Sequence, residues 1–149
     1  MISPISSPDS VSLPDLVAQA AAVHLSALLP LSGLSIATEK TNADYQRPIL
    51  VIGCDLAGQR IHDARVFTLT LRFSLETTDK TTDDQLLKWD GAIWADLTDT
   101  RNLPALLNAS QPGILVHAAL SPTSSPTNFS GKQRDISYQT ELIAQKVPT

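Results

Sequence analysis

The chain has 149 residues, room for one domain, and its 42% hydrophobic share with a mean hydropathy of zero supports one core and excludes a disordered chain. Charged residues make up only 17%, and 15 Ser and 14 Thr fill the gap, so the surface reads as mostly neutral hydroxyl and amide. The net charge of −4 supplies no basic footprint for sequence-specific nucleic-acid binding, although it leaves open a surface that merely lets DNA pass. No apolar run reaches the roughly 18 residues of a membrane-spanning helix. Residues 1–10 lack the basic residues of a signal or transit peptide. Cys54 is the sole cysteine, so an intramolecular disulfide is impossible and the chain suits a reducing compartment or one indifferent to redox.

Residues 1–10, with Pro4, Pro8 and four serines, read as a flexible N-terminal arm. A helix is expected over 13–29, with Ser12 at its N-cap, Pro14 in the first turn and Asp15 near the positive end of the dipole. Leu13, Leu16, Val17, Ala20, Val23, Ala27 and Leu28 give it a broad apolar stripe, and Pro30 ends it. Residues 34–39 read as a short strand at a sheet edge. Pro48 opens a second strand, Ile49-Leu50-Val51-Ile52, whose unbroken apolar run predicts cover on both faces, with a bend or turn at Gly53 and Gly58. Residues 64–77 form the clearest element: Phe67, Leu69, Leu71, Phe73 and Leu75 alternate with Val66, Thr68, Thr70, Arg72, Ser74 and Glu76.

Thr82 and Gln85 have capping-box spacing, with Asp83 and Asp84 in the first turn of the helix that follows. Leu86, Trp89, Ile93 and Leu97 share one face of it, with Leu87 and Trp94 beside them. Gly91 inside this helix costs about 1 kcal/mol relative to alanine, and reads as a close-packing position or a small kink. Asn102 is placed to cap a short helix through Asn108, and Pro112-Gly113 breaks the chain after it. Residues 114–120 read as a strand, 121–131 as a long loop, and 133–144 as a second alternating strand. In that strand Ile136, Tyr138, Leu142 and Ala144 face one way, and Asp135, Ser137, Gln139 and Glu141 the other. The two strands are expected to pair as a long antiparallel terminal hairpin. The order of elements predicts an α+β fold, a mostly antiparallel sheet of four to five strands with helices on one face. The expected domain covers residues 11–145, with a C-terminal tail at 146–149.

Few residues suggest chemistry. His24, His62 and His117 have no metal-ligand spacing, and one cysteine cannot complete a site. Cys54 follows a buried run and reads as a small apolar residue rather than a nucleophile. Asp83 and Asp84 are explained by the helix dipole, and Asp90 and Asp96 fall on different helix faces, so no acid pair converges. Phosphate-binding glycine loops and a nucleophile-elbow motif are absent from the sequence. Asn108-Ala109-Ser110 and Asn128-Phe129-Ser130 fit the glycosylation pattern, here read as chance matches. Trp89 and Trp94 read first as core anchors, with a subunit-contact patch or a ligand box as alternatives. No catalytic, cofactor-binding or metal-binding residue is assigned.

The chain read in order resembles the tail-terminator and related neck proteins of tailed bacteriophages. The resemblance rests on the first helix ending in Leu28-Leu29-Pro30, on Arg47-Pro48-Ile49-Leu50-Val51-Ile52, and on the long strand from Arg65 to Leu75. It continues in the helix carrying Leu86, Leu87, Ile93 and Leu97 and in a hairpin ending Ile136-Ser137-Tyr138-Gln139-Thr140-Glu141-Leu142, and spans roughly residues 12–145. It is a likeness of element order and hydrophobic pattern, which implies function only by analogy. It implies a virion component without catalytic residues or cofactor: a subunit of a closed ring, usually hexameric, that caps the tail tube and joins it to the neck. The implied partners are further copies of the chain, the tail-tube protein, and a neck or head-completion protein. DNA is a passing, non-specific occupant of the lumen, and no membrane is involved. The arm 1–10, the loop 121–131 and residues 145–149 are the expected docking segments. Ser121, Pro122, Pro126, Asn128, Phe129, Lys132, Arg134 and Trp94 are the candidate subunit or partner contacts. The competing expectation is a small ligand-binding or enzymatic domain with an enclosed pocket between sheet and helices near Trp89, Trp94 and Tyr138.

Overall fold

A computed structural model of the chain describes residues 12–39, 46–59, 66–128 and 134–147. The expected arm 1–10, His62, Phe129 and Lys132 lie outside these residues. In chain order the elements are α1 (Leu13–Ser26), a 3-10 turn (Leu29–Leu31), β1 (Ser35–Thr38), β2 (Ile49–Gln59), β3 (Val66–Glu76), α2 (Asp83–Thr98), α3 (Leu103–Ser110), β4 (Ile114–Asn128) and β5 (Asp135–Lys146). The strands form one sheet in the order β1-β2-β3-β5-β4. Only β1 and β2 run parallel; every other neighbour is antiparallel. The architecture is the expected α+β fold, with the helices packed on the sheet and β4–β5 as its long terminal hairpin.

Strand β3 sits at the centre, and its alternation sets both faces. Leu69, Leu71, Phe73 and Leu75 are buried under the helices. In register with them, β5 places Leu142, Thr140, Tyr138 and Ile136 on the same face, and β2 places Cys54, Ile52 and Leu50 there. Phe73 and Tyr138 form a directly opposed aromatic pair, a favourable cross-strand contact. Buried side chains of this size each contribute about 1.5–3 kcal/mol on leaving water. The run at 49–52 is covered on both faces, as expected: Ile49 and Val51 are buried on the side opposite Leu50 and Ile52.

Helix α1 ends three residues before the expected boundary, and Ser12 occupies its N-cap without a side-chain bond. Helix α2 starts at a complete capping box. The Thr82 hydroxyl accepts the Gln85 N–H at 3.2 Å, and the Gln85 side chain accepts the Thr82 N–H at 3.1 Å. Its buried residues are the expected Leu86, Trp89, Ile93 and Leu97. Asn102 occupies the N-cap of α3 but makes no capping bond, and α3 runs two residues past Asn108.

Three expectations are corrected. Gly53 and Gly58 do not turn the chain; both lie within β2, Gly58 beside a register shift opposite β3. Residues 121–128 are not a loop but the second half of β4, paired from Thr123↔Gln139 to Asn128↔Asp135. Prolines 122 and 126 suggested a loop because a proline cannot donate to a strand ladder. At a sheet edge and at register shifts that missing donor is tolerated. The last strand also runs past its expected end at residue 144: β5 includes Lys146, and the Val147 N–H donates to the Gly113 carbonyl at 3.0 Å. That turn into β4 needs a glycine, because Gly113 adopts φ of +90°.

Gly91 lies within continuous helix, and a methyl group there would meet nothing within 4 Å. The close-packing reading of this glycine is therefore not realised. Gly91→Ala is expected to stabilise the fold by up to about 1 kcal/mol, read as a higher urea midpoint with an unchanged m-value.

Candidate functional site

The face of the sheet away from the helices is where polar side chains gather. It is built by the same alternation that builds the core, one residue out of phase. Strand β3 contributes Thr68, Thr70, Arg72 and Ser74, and β5 contributes Ser137, Gln139 and Glu141. Gly53, Arg72, Gln139 and Thr123 stand in one rung across four strands. A shallow groove of about 190 Å³ lies over this rung, lined by Glu39, Val51, Arg72, Ser74, Ser137 and Gln139 among others.

Arg72 is the only cation at the centre of this face among the described residues, and two carboxylates engage it. Glu39 grips its guanidinium in a fork, at 3.0 and 3.1 Å, and Asp55 approaches one nitrogen at 2.6 Å. Gly53 makes the fork possible, because a Cβ there would overlap the Glu39 carboxylate. The charge of the arginine is thus neutralised in place, and the floor around it is hydroxyl and amide.

The base of the β5 strand is held by a second network. Asp135 lies on the outward face as expected, yet it is buried. The Thr77 N–H donates to it at 3.0 Å, and Arg47 reaches it at 3.6 Å while binding Glu76 at 2.8 Å. The Thr77 hydroxyl donates to the Arg134 carbonyl and accepts the Arg134 N–H. The Arg134 guanidinium pairs with Asp83 at the start of α2.

The candidate contact residues do not converge on one spot. Ser121, Pro122, Pro126 and Asn128 lie along β4 at the sheet edge. Arg134 is engaged by α2, and Trp94 is half-buried against the core. Sequence reasoning missed the Arg72 cluster altogether, although Arg72 is the one cation on β3's outward face, set between the hydroxyls of Thr70 and Ser74. That break in the pattern was the available signal.

Side chains with chemical potential are used as ties. His24 Nε2 meets Asp96 Oδ2 at 2.6 Å, joining α1 to α2. The Tyr138 hydroxyl donates to Asp90, joining β5 to α2. Burial first, and then this bond to Asp90 and its charge, raise the Tyr138 phenol well above its ordinary value. His117 Nε2 meets the Gln145 side chain at 3.0 Å. Burial, with help from the Asp55 charge, pushes the Cys54 thiol from 9.0 up to about 12. A thiol so held is a poor nucleophile at neutral pH. Among the described residues no three His, Cys, Asp or Glu side chains gather as metal ligands.

The space where α1, α2 and α3 meet the sheet, lined by Ala21, His24, Phe73, Ile93, Asp96 and Leu107 among others, measures about 10 Å³. That is at most the room of one water. Trp89 and Tyr138 are core residues. Trp89 also borders an open depression of about 560 Å³ with Arg47, Lys80 and Gln85, but neither Trp94 nor Tyr138 lines it. No protein-family model matches the chain, and no curated protein matches it either.

Two outcomes test this geometry. A Glu39–Arg72 double-mutant cycle is expected to give a coupling of at most about 1 kcal/mol, which Gly53→Ala abolishes while lowering overall stability by less than about 1 kcal/mol. The raised Cys54 and Tyr138 values mean that the folded state keeps protons that the unfolded chain loses. The Cys54 contribution is therefore full below pH 9.0 and is lost as the pH climbs toward 12, and that of Tyr138 starts to fall only above pH 10.0. Urea midpoints should fall along this alkaline limb, and Cys54→Ala and Tyr138→Phe together should flatten it.

Proposed function

We propose that this chain is a structural subunit of a tailed-phage virion. Copies close into a ring that caps the tail tube and joins it to the neck, with DNA passing through the lumen. The observation that carries the reading is the outward sheet face: four strands wide, rich in hydroxyls and amides, with the charge of Arg72 cancelled by Glu39 and Asp55. The hydroxyls of such a face can pair across a subunit contact. The element order, one helix, three strands, a helix pair and a terminal hairpin, is the order on which the phage resemblance rests.

A ring requires a heterologous contact that closes on itself. The ring's other partners are the tail-tube protein and a neck or head-completion protein, and its place is the virion, after assembly in the host cytoplasm. DNA in the lumen is a transient occupant, because phosphate affinity depends on lysine and arginine. The described residues carry twelve carboxylates against seven lysines and arginines. The chain performs no catalysis in this role. No helix among the described residues is long and apolar enough to cross a membrane.

Negative-stain imaging of the purified protein, alone and co-expressed with its tail-tube protein, tests the reading. Rings of about six subunits are the expected result. A protein that stays monomeric in both preparations would remove the proposal.

A further inference from the structure

Strand β4 is an edge strand of 15 residues, and its outer side faces no other strand among the described residues. A long bare edge of this kind is a template for pairing with another chain. This one carries three separate obstacles. The first is Asn108, on α3. Its side-chain carbonyl accepts the Val116 N–H at 2.7 Å, and its amide donates to the Val116 carbonyl at 3.2 Å. One asparagine side chain thereby makes both hydrogen bonds that a residue of a neighbouring strand would make. The second obstacle is chemical: Pro122 and Pro126 have no N–H to offer. The third is geometric. The register against β5 shifts between Val116 and Ala118, between Leu120 and Thr123, and between Pro126 and Asn128, so the outer edge has no long straight stretch.

The opposite edge is blunted in another way. Strand β1 has only four residues, too short to guide an incoming strand, although it covers β2 only from Ile49 to Ile52, and beyond Ile52 the outer side of β2 faces no strand among the described residues.

From this we infer that the β4 edge is built to refuse strand addition by a second copy of this chain, with Asn108 acting as a covalently attached stand-in for the missing strand. Copies of the protein then meet through side-chain surfaces and do not extend one another's sheets. The inference does not depend on the ring reading, since it concerns what the edge excludes in any assembly. It also gives Asn108 a role: the amide that fits a glycosylation pattern is occupied in closing an edge.

The test compares the full chain with two variants, Pro122→Thr/Pro126→Thr and Asn108→Ala/Pro122→Thr/Pro126→Thr, by sedimentation and by hydrogen exchange. Asn108→Ala leaves the Val116 groups free to accept a strand, and the threonines restore two donors. The triple variant is expected to self-associate with a dissociation constant lower by about tenfold or more, the scale that a few regained strand hydrogen bonds support. Its β4 amides should gain exchange protection as concentration rises. The double variant, which keeps the Asn108 clasp and is the safeguard if the triple variant does not fold, should show the same change to a smaller degree. Folded variants that associate no more than the parent chain would overturn the inference. So would association without new protection on β4, or a parent-chain assembly in which the outer β4 amides are already protected by another copy.

Discussion

Strand β3 is hydrogen-bonded along both of its edges, so its alternation dictates which side chains of β2 and β5 share a face. A shift of one residue in either pairing would turn Leu142 or Ile52 outward and bring Glu141 or Gly53 inward. The register is therefore fixed by the core, and the polar face follows from it. The rung of Gly53, Arg72, Gln139 and Thr123 is in this sense a by-product of burying Leu71, Phe73 and Tyr138.

The helices are secured by a different kind of force. Helix α2 buries one apolar stripe, and three of its carboxylates reach outside the helix: Asp83 to Arg134 just before β5, Asp90 to Tyr138 in β5 and Asp96 to His24 in α1. Apolar burial is nondirectional and leaves a helix free to slide or rotate slightly on a sheet. Three charged anchors at different points along its length fix its position, and each is a directional, charge-assisted bond. The scarcity of charge in this protein makes such anchors conspicuous. Asp83, Asp90 and Asp96 thus clamp α2 to its neighbours.

Surface chemistry and edge chemistry then work together. On the outward sheet face Glu39 and Asp55 hold the charge of Arg72, while the β4 edge resists pairing. A flat face rich in hydroxyls with unprotected edges would invite indefinite sheet growth. A blocked β4 edge directs association at that edge to contacts that fit side chain to side chain, and a ring requires in addition a contact whose rotation closes.

The sequence by itself determined the periodic elements. The alternation from Phe67 to Leu75, the capping box of Thr82 and Gln85, and the stripe of Leu86, Trp89, Ile93 and Leu97 are all written in residues a few positions apart, and neighbours along the chain suffice to read them. The α+β class followed from their order. Only the tertiary structure decided the rest. Residues 121–128 look like a loop when read locally, because prolines disfavour strands; their place at the edge, beside β5, makes a strand tolerable. Gly53 looks like a turn, yet it is the floor beneath Glu39. His24 and Asp96 are 72 residues apart, and Tyr138 and Asp90 are 48 apart, so no local pattern announces either pair. Asn108 meets Val116 across a turn that only the packing of α3 on β4 defines. Periodicity is a local property of the chain, whereas the partner of a polar group depends on which elements the fold brings together.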